Sequence, residues 1–165
     1  MIYILAGPVR TGKTSALLEW CYNRNDADGV VCPDNKNGKR YFLNIKSKET
    51  YILEIEAEAK SDKIVSIGPF HFLKKAFDKA NEYLINLIDK DGYSYIIIDE
   101  LGKLELQNQG LYFASKKLIQ DFMYHDKQHL IVVVRKSLLD RIINHFDILK
   151  YQIIKKEDLI KKRFS

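Results

Sequence analysis

The chain has 165 residues, 46% of them apolar and 30% charged, with three prolines; this suits one folded domain over 1–165 and excludes disordered and fibrous classes. Its net charge of +5 fits a protein that handles polyanions, but the excess is mostly lysine spread along the chain, densest over 155–163, which is weak evidence for nucleic acid. No apolar run approaches the ~18 residues of a membrane span and no signal-peptide pattern opens the chain, while Cys21 and Cys32 stand in no metal or redox spacing, so two reduced cysteines in a cytoplasmic protein are expected.

Ile2-Tyr3-Ile4-Leu5-Ala6 is short, β-prone and bounded by glycine, and reads as a strand. A helix is expected from Lys13 to Arg24, ended by the turn cluster Asn25-Asp26-Ala27-Asp28-Gly29. A short strand follows from Gly29 to Cys32 and stops at Pro33, and a turn covers Asp34 to Gly38. Period-two runs at Tyr41–Lys46 and Tyr51–Glu56, separated by Ser47-Lys48-Glu49, predict an antiparallel hairpin over about 38–57, with a third strand at Ile64–Ile67. Leu73, Ala76, Phe77, Ala80, Leu84, Leu87 and Ile88 recur at three-to-four spacing, so a long helix is expected from Phe72 to Lys90.

Tyr93 to Ile98 is a continuous apolar run that ends in Asp99-Glu100, the pattern of a strand buried on both faces of a parallel sheet. A polar loop from Leu101 to Gly110 leads to a helix at Leu111–Tyr124, and Leu130–Val134 is a second buried strand ending in Arg135. Ser137 and Asp140 have capping-box spacing ahead of the stripe Leu138, Leu139, Ile142, Ile143 and Phe146. A strand at Ile148–Ile154 and a short basic helix at Glu157–Lys162 close the chain. Strands alternating with helices predict an α/β fold: an open, mostly parallel sheet with helices on both faces and one antiparallel hairpin insertion.

Gly7-Pro8-Val9-Arg10-Thr11-Gly12-Lys13-Thr14 fits the phosphate-binding loop pattern G-x-x-x-x-G-K-[ST], between a strand and a helix as that motif requires. A polyphosphate is best held by backbone N–H groups converging at a helix N-terminus, where the macrodipole adds positive potential. The expected nucleotide-binding residues are Gly7, Pro8, Val9, Arg10, Thr11, Gly12, Lys13, Thr14 and Ser15. Gly7 and Gly12 let the backbone bend and approach phosphate oxygens. Lys13 is placed for the β- and γ-phosphates and Thr14 for Mg²⁺. Arg10 either adds a phosphate contact or points to solvent.

Ligands in such sheets sit at the carboxyl ends of the strands, and Asp99-Glu100 falls on the same edge as the loop, the arrangement of a Walker B site. Asp99 is expected to hold Mg²⁺ through a coordinated water, completing the shell that Thr14 and the phosphates begin, and Glu100 is the residue free to orient and polarise a water. With these acids the chain resembles the small nucleoside triphosphatases first described from thermophiles, a family with a cancer-related human member. The resemblance rests on the N-terminal loop and on Asp99-Glu100-Leu101-Gly102-Lys103-Leu104-Glu105-Leu106, similar to that family's extended Walker B pattern. It implies Mg²⁺-dependent hydrolysis of triphosphates such as ATP and GTP to diphosphate and phosphate with broad base tolerance. Val9 and Arg10 depart from the Pro and Gly often found inside the family's loop.

Catalytic roles are expected for Lys13, Glu100 and Arg135, the last either an internal arginine finger or one half of a salt bridge. Lys103 either reaches a phosphate, braces the loop through Glu105 or lies in solvent. His71, His125, His129 and His145 share no spacing. A kinase is the rival reading, with the hairpin as an acceptor element, but of the six arginines only Arg10 and Arg135 fall near the expected site. A nucleotide-dependent binding module is the other, with Lys155, Lys156, Lys161 and Lys162 as its footprint. Asn35-Lys36-Asn37-Gly38 lacks the acid of the Asn/Thr-Lys-x-Asp run that reads guanine, so low base specificity is expected.

Overall fold

The computed structural model describes residues 1–56, 61–88, 90–124 and 127–160. Apolar runs build the centre of a seven-stranded sheet. In chain order its strands are β1 (Ile2–Gly7), β2 (Ala27–Val31), β3 (Tyr41–Asn44), β4 (Thr50–Ile52), β8 (Tyr95–Leu101), β9 (His129–Arg135) and β10 (Tyr151–Ile154). Their spatial order is β10-β1-β9-β8-β2-β3-β4. The five from β10 to β2 are parallel, and β3 and β4 extend the sheet antiparallel. A smaller antiparallel sheet, β5-β7-β6, is formed by β5 (Glu54–Ile55), β6 (Ile64–Ile67) and β7 (Phe70–Leu73).

Side chains of the central strands alternate between two cores, as burial on both faces requires. On one face α1 (Lys13–Tyr22) and α5 (Lys156–Ile160) bring Leu17, Cys21 and Leu159 against Leu5, Val31, Ile97 and Val133. On the other, α2 (Lys74–Ile85), α3 (Tyr112–Phe122) and α4 (Leu139–His145) bring Phe77, Leu84, Leu118, Phe122 and Ile142 against Ile4, Ile96, Ile98 and Val132. The expected α/β class, with helices on both faces, is what the chain forms.

Several boundaries differ for physical reasons. The second arm of the expected hairpin is divided: Thr50–Ile52 pairs with β3, then the Leu53 carbonyl accepts from Leu73 N–H (2.9 Å) and Glu54–Ile55 joins the small sheet. Period-two alternation survives a change of partner, so it does not reveal one. Phe70–Leu73 is a strand, and α2 begins only at Lys74. Phe72 and Leu73 continue the helical spacing, but pairing with both β5 and β6 outweighs it.

The Ala27-Asp28-Gly29 part of the expected turn is strand. Buried Asp28 accepts from the Tyr83 hydroxyl (2.9 Å) and from the N–H groups of Gly29 and Lys46 (2.8 and 3.1 Å), so its carboxylate is not used in a local turn. At Gly29 the backbone of β8 comes so close that a Cβ would overlap Ile97. The Ser137–Asp140 capping box does not form: Lys136–Leu138 is a 3₁₀ turn and Leu138 caps α4 without a side-chain hydrogen bond. The expected strand at 148–154 begins at Tyr151, because Ile148 N–H closes the end of α4 on the Ile143 carbonyl (3.0 Å). Ala57, His125, Lys161 and Lys162, on which parts of the hairpin, histidine and basic-helix expectations fall, lie outside the described residues.

Candidate active site

Parallel strands and their register bring the site together. Gly7 at the end of β1 stands in register with Arg135 at the end of β9, which places the start of the loop beside that guanidinium. Gly12 lies in the left-handed region (φ 78°) and caps α1 with no side-chain hydrogen bond, so the first-turn N–H groups of the helix meet no side-chain cap. A Cβ built on Gly12 meets nothing within 4 Å, so this position asks for glycine by its φ and not by lack of room. Gly7 differs from expectation: its φ is ordinary, and a Cβ there would touch the Lys13 side chain at 3.4 Å. Backbone freedom is therefore needed at Gly12 and, in a non-glycine residue, at Arg10 (φ 56°).

Lys13 folds back over the loop and donates to the Gly7 and Pro8 carbonyls (3.3 and 2.5 Å). Burial lowers its pKa, and Glu100 and Asp99 oppose that. Thr11 Oγ1 donates to the Pro8 carbonyl (2.9 Å), and Lys156 Nζ on α5 donates to the Thr11 carbonyl (2.9 Å), so a residue from the far end of the chain steadies the loop.

The Thr14 hydroxyl donates to Asp99 Oδ2 at 2.8 Å, joining the helix after the loop to the end of β8. Cys32 N–H donates to the same oxygen at 2.9 Å. Asp99 is 3% exposed, and burial pushes its carboxyl up to about 6 even though these two hydrogen bonds pull it down. Both bonds fall on Oδ2, and Asp99 also lines the cleft. A hydroxyl and a carboxylate are the oxygen donors a hard divalent cation takes when phosphates and waters complete its shell, so the residues present fit Mg²⁺. Among the described residues no group of three or more His, Cys, Asp and Glu could hold a metal, and no helix is long and apolar enough to cross a membrane.

Glu100 owes its direction to a bulge. Ile98 pairs with Val132 and Leu101 with Val134, so β8 carries one more residue than β9 across this interval, and Glu100 sits at φ 67°. A bulge beside a site re-aims a side chain, and here the two neighbouring acids diverge. Arg135 Nε donates to Glu100 Oε1 (2.7 Å) and its Nη2 lies 2.5 Å from the same oxygen. Arg40 Nη1 is 3.9 Å from Glu100 Oε2. Of the two alternatives for Arg135, this conformation holds the salt bridge.

Arg40 was not anticipated. It enters because β3 runs antiparallel to β2, so the residue preceding β3 returns to the carboxyl edge of the sheet. Its guanidinium lies over Phe70 and Phe72 (5.2 and 5.7 Å to the centroids). Glu105 braces the loop as one alternative expected, but through backbone N–H groups. Buried, it accepts from Gly102 N–H and Leu111 N–H (2.8 Å each) and so ties the two ends of the loop after β8 together, while Lys103 is exposed. The histidines are dispersed: His71 bonds Ser66 (2.7 Å), His145 bonds Asn108 (2.9 Å), and His129 packs on Tyr3 and Tyr95.

Two cavities that share Asp99, Glu100, Arg40 and Arg135 in their linings occupy this edge. One of about 500 Å³ is lined by residues 9–15 of the loop with Asp99, Glu100, Arg40 and Arg135. The other, of about 170 Å³, opens beside Glu100 and runs beneath the β6–β7 turn.

Residues 2–162 match the model of a family described as NTPase. Two solved structures are similar in fold. THEP1 from the hyperthermophile Aquifex aeolicus has a TM-score of 0.71 at 16% identity, over 98% of this chain and 96% of that one. A human cancer-related nucleoside triphosphatase has a TM-score of 0.66 at 16% identity, over 98% and 94%. No curated protein matches the chain.

Proposed function

The chain belongs to the NTPase family, and from its triphosphatase activity we propose a finer reading: Mg²⁺-dependent hydrolysis of nucleoside triphosphates to diphosphate and phosphate, with little regard for the base. The observation that carries it is the 2.8 Å bond from Thr14 to Asp99, which links the phosphate-binding loop to the acid at the end of β8. Thr14 and Asp99 are the residues that would hold Mg²⁺. When bound, Mg²⁺ would supply Lewis acidity and offset phosphate charge at this site.

Residues Gly7 to Ser15 cradle the phosphates, chiefly through N–H groups at the start of α1. Lys13 exchanges its carbonyl partners on the loop for phosphate oxygens. Glu100 orients the attacking water and accepts its proton. Arg135 stands beside the reacting group and moves from Glu100 to the γ-phosphate as negative charge grows there, as an internal arginine finger does. Arg40 supports the same end of the site, and Arg10 offers a further cation at the loop.

Low base specificity is supported by Asn35. Its Oδ1 already accepts from Asn37 N–H (2.9 Å) and Lys39 N–H (3.0 Å), so it is committed to its own turn. The test is phosphate release from ATP, GTP, CTP and UTP under a Mg²⁺ titration. Comparable rates that vanish with chelator are expected. A preference above about a hundredfold, near 2.7 kcal/mol, would show a base pocket and overturn the tolerance; release unaffected by chelator would overturn the metal.

A further inference from the structure

Hydrolysis requires one water at the γ-phosphate, and a water occupies about 30 Å³. The cavity that opens beside Glu100 holds about 170 Å³, several times that volume. One side of it is apolar, with Phe42, Phe70, Phe72 and Phe77 beside Leu53 and Ile67, while charged residues such as Arg40, Glu100 and Arg135 line the rest. The rings hold one another in place, Phe42 and Phe72 each meeting Phe77 edge-on at 5.6 and 6.1 Å, and Phe70 stacking on Phe72 at 6.4 Å. An enclosed apolar cavity of about 150 Å³ holds a benzene ring, so the apolar side of this open one has room for a single ring.

Position adds what size and polarity leave open. Asp99, Glu100, Arg40 and Arg135 line this cavity and the phosphate cavity alike. A molecule seated on the phenylalanines therefore faces the transferring end of a triphosphate from the side of Glu100. Scarcity of arginine near the site was the sequence argument against phosphoryl transfer, and Arg40, brought in by the antiparallel strand, weakens it.

We propose that this cavity is an acceptor site, and that the enzyme transfers the γ-phosphoryl group to a small alcohol carried on an aromatic ring, in competition with water. The inference rests on the phosphate-site assignment above. The acceptor oxygen bonds to the γ-phosphorus while the bond from that phosphorus to the β–γ bridging oxygen breaks. The diphosphate leaves with the electron pair. The hydroxyl proton passes to the Glu100 carboxylate and from there to solvent. An aromatic body fills the phenylalanine side, and a hydroxyl one carbon beyond the ring reaches the charged residues.

The test uses the full chain with Mg²⁺ and γ-labelled ATP, and benzyl alcohol or pyridin-4-ylmethanol as acceptor at millimolar concentration, the affinity range of so small a ligand. The expected result is a labelled aryl-methyl phosphate amounting to roughly a tenth or more of total turnover, saturating with the alcohol and suppressed by toluene, which fills the same walls without a hydroxyl. Ile67→Trp, which fills the cavity from β6 without touching the phosphate loop, should abolish transfer and leave phosphate release within about threefold. If that variant does not fold, saturation and toluene competition decide alone.

Binding of the alcohols by saturation-transfer NMR with inorganic phosphate as the sole product overturns the proposal, and so does absence of both binding and transfer. Transfer without hydrolysis would sustain the acceptor site while refuting the hydrolytic reading, and hydrolysis without transfer the reverse.

Discussion

Replacing Asp99 with asparagine should stabilise the nucleotide-free protein while damaging its function. Burial lifts the Asp99 carboxyl from 3.8 to about 6, so between those values the folded chain keeps a proton that the unfolded chain has lost. Stability therefore falls as pH rises through that window. At ~1.36 kcal/mol per pH unit the full penalty, present once the carboxylate is ionised in both states, is about 3 kcal/mol. Asparagine carries no such penalty, and its side-chain oxygen can still accept from Thr14 Oγ1 and Cys32 N–H, which share a single oxygen of Asp99. Urea unfolding followed by circular dichroism, without Mg²⁺ or nucleotide, should show Asp99→Asn more stable by about 1–3 kcal/mol near pH 8, with the difference closing near pH 4. Mg²⁺ with a non-hydrolysable triphosphate should reverse the order, because a ligand that binds the native state stabilises it in proportion to its affinity. A variant less stable than wild type near pH 8, or a difference unaffected by pH, would refute the argument that this carboxylate is kept at a cost for its ligand.

Glu100→Gln should lower kcat by at least about a hundredfold with nucleotide affinity kept within a few fold, measured by single-turnover hydrolysis beside a binding titration; hydrolysis near the wild-type rate would move water activation elsewhere. Lys13→Ala should abolish turnover and strongly weaken triphosphate binding in calorimetry, since Lys13 is the cation the loop itself positions, and wild-type turnover in a folded variant would overturn the assignment. Gly29→Ala should cost about 3 kcal/mol or more in denaturant unfolding, because its Cβ would overlap the Ile97 backbone of the paired strand; an effect below about 1 kcal/mol would mean that β2 and β8 separate easily.

The parts of the fold and site legible in the chain are those whose chemistry is local. The loop needs its glycine, lysine and threonine at fixed spacing, buried parallel strands need unbroken apolar runs, and the paired acids follow such a run directly, so loop, central strands and Asp99-Glu100 could all be read from neighbours in sequence. Helical periodicity likewise located α2, α3 and α4, with errors at their ends where a backbone partner competed with spacing, as at Phe70–Leu73. Partners distant in sequence were a different matter. Which sheet each half of 50–55 joins, why Asp28-Gly29 is strand and not turn, and the arrival of Arg40 beside Glu100 and of Lys156 at the loop all depend on pairings between segments whose local patterns are compatible with several neighbours. The aromatic cavity beside Glu100 belongs to the same class. Each of its phenylalanines reads as an ordinary core residue, and only the packing of the small sheet against the large one leaves a space between them, because a void is a property of how surfaces meet and no single residue encodes it.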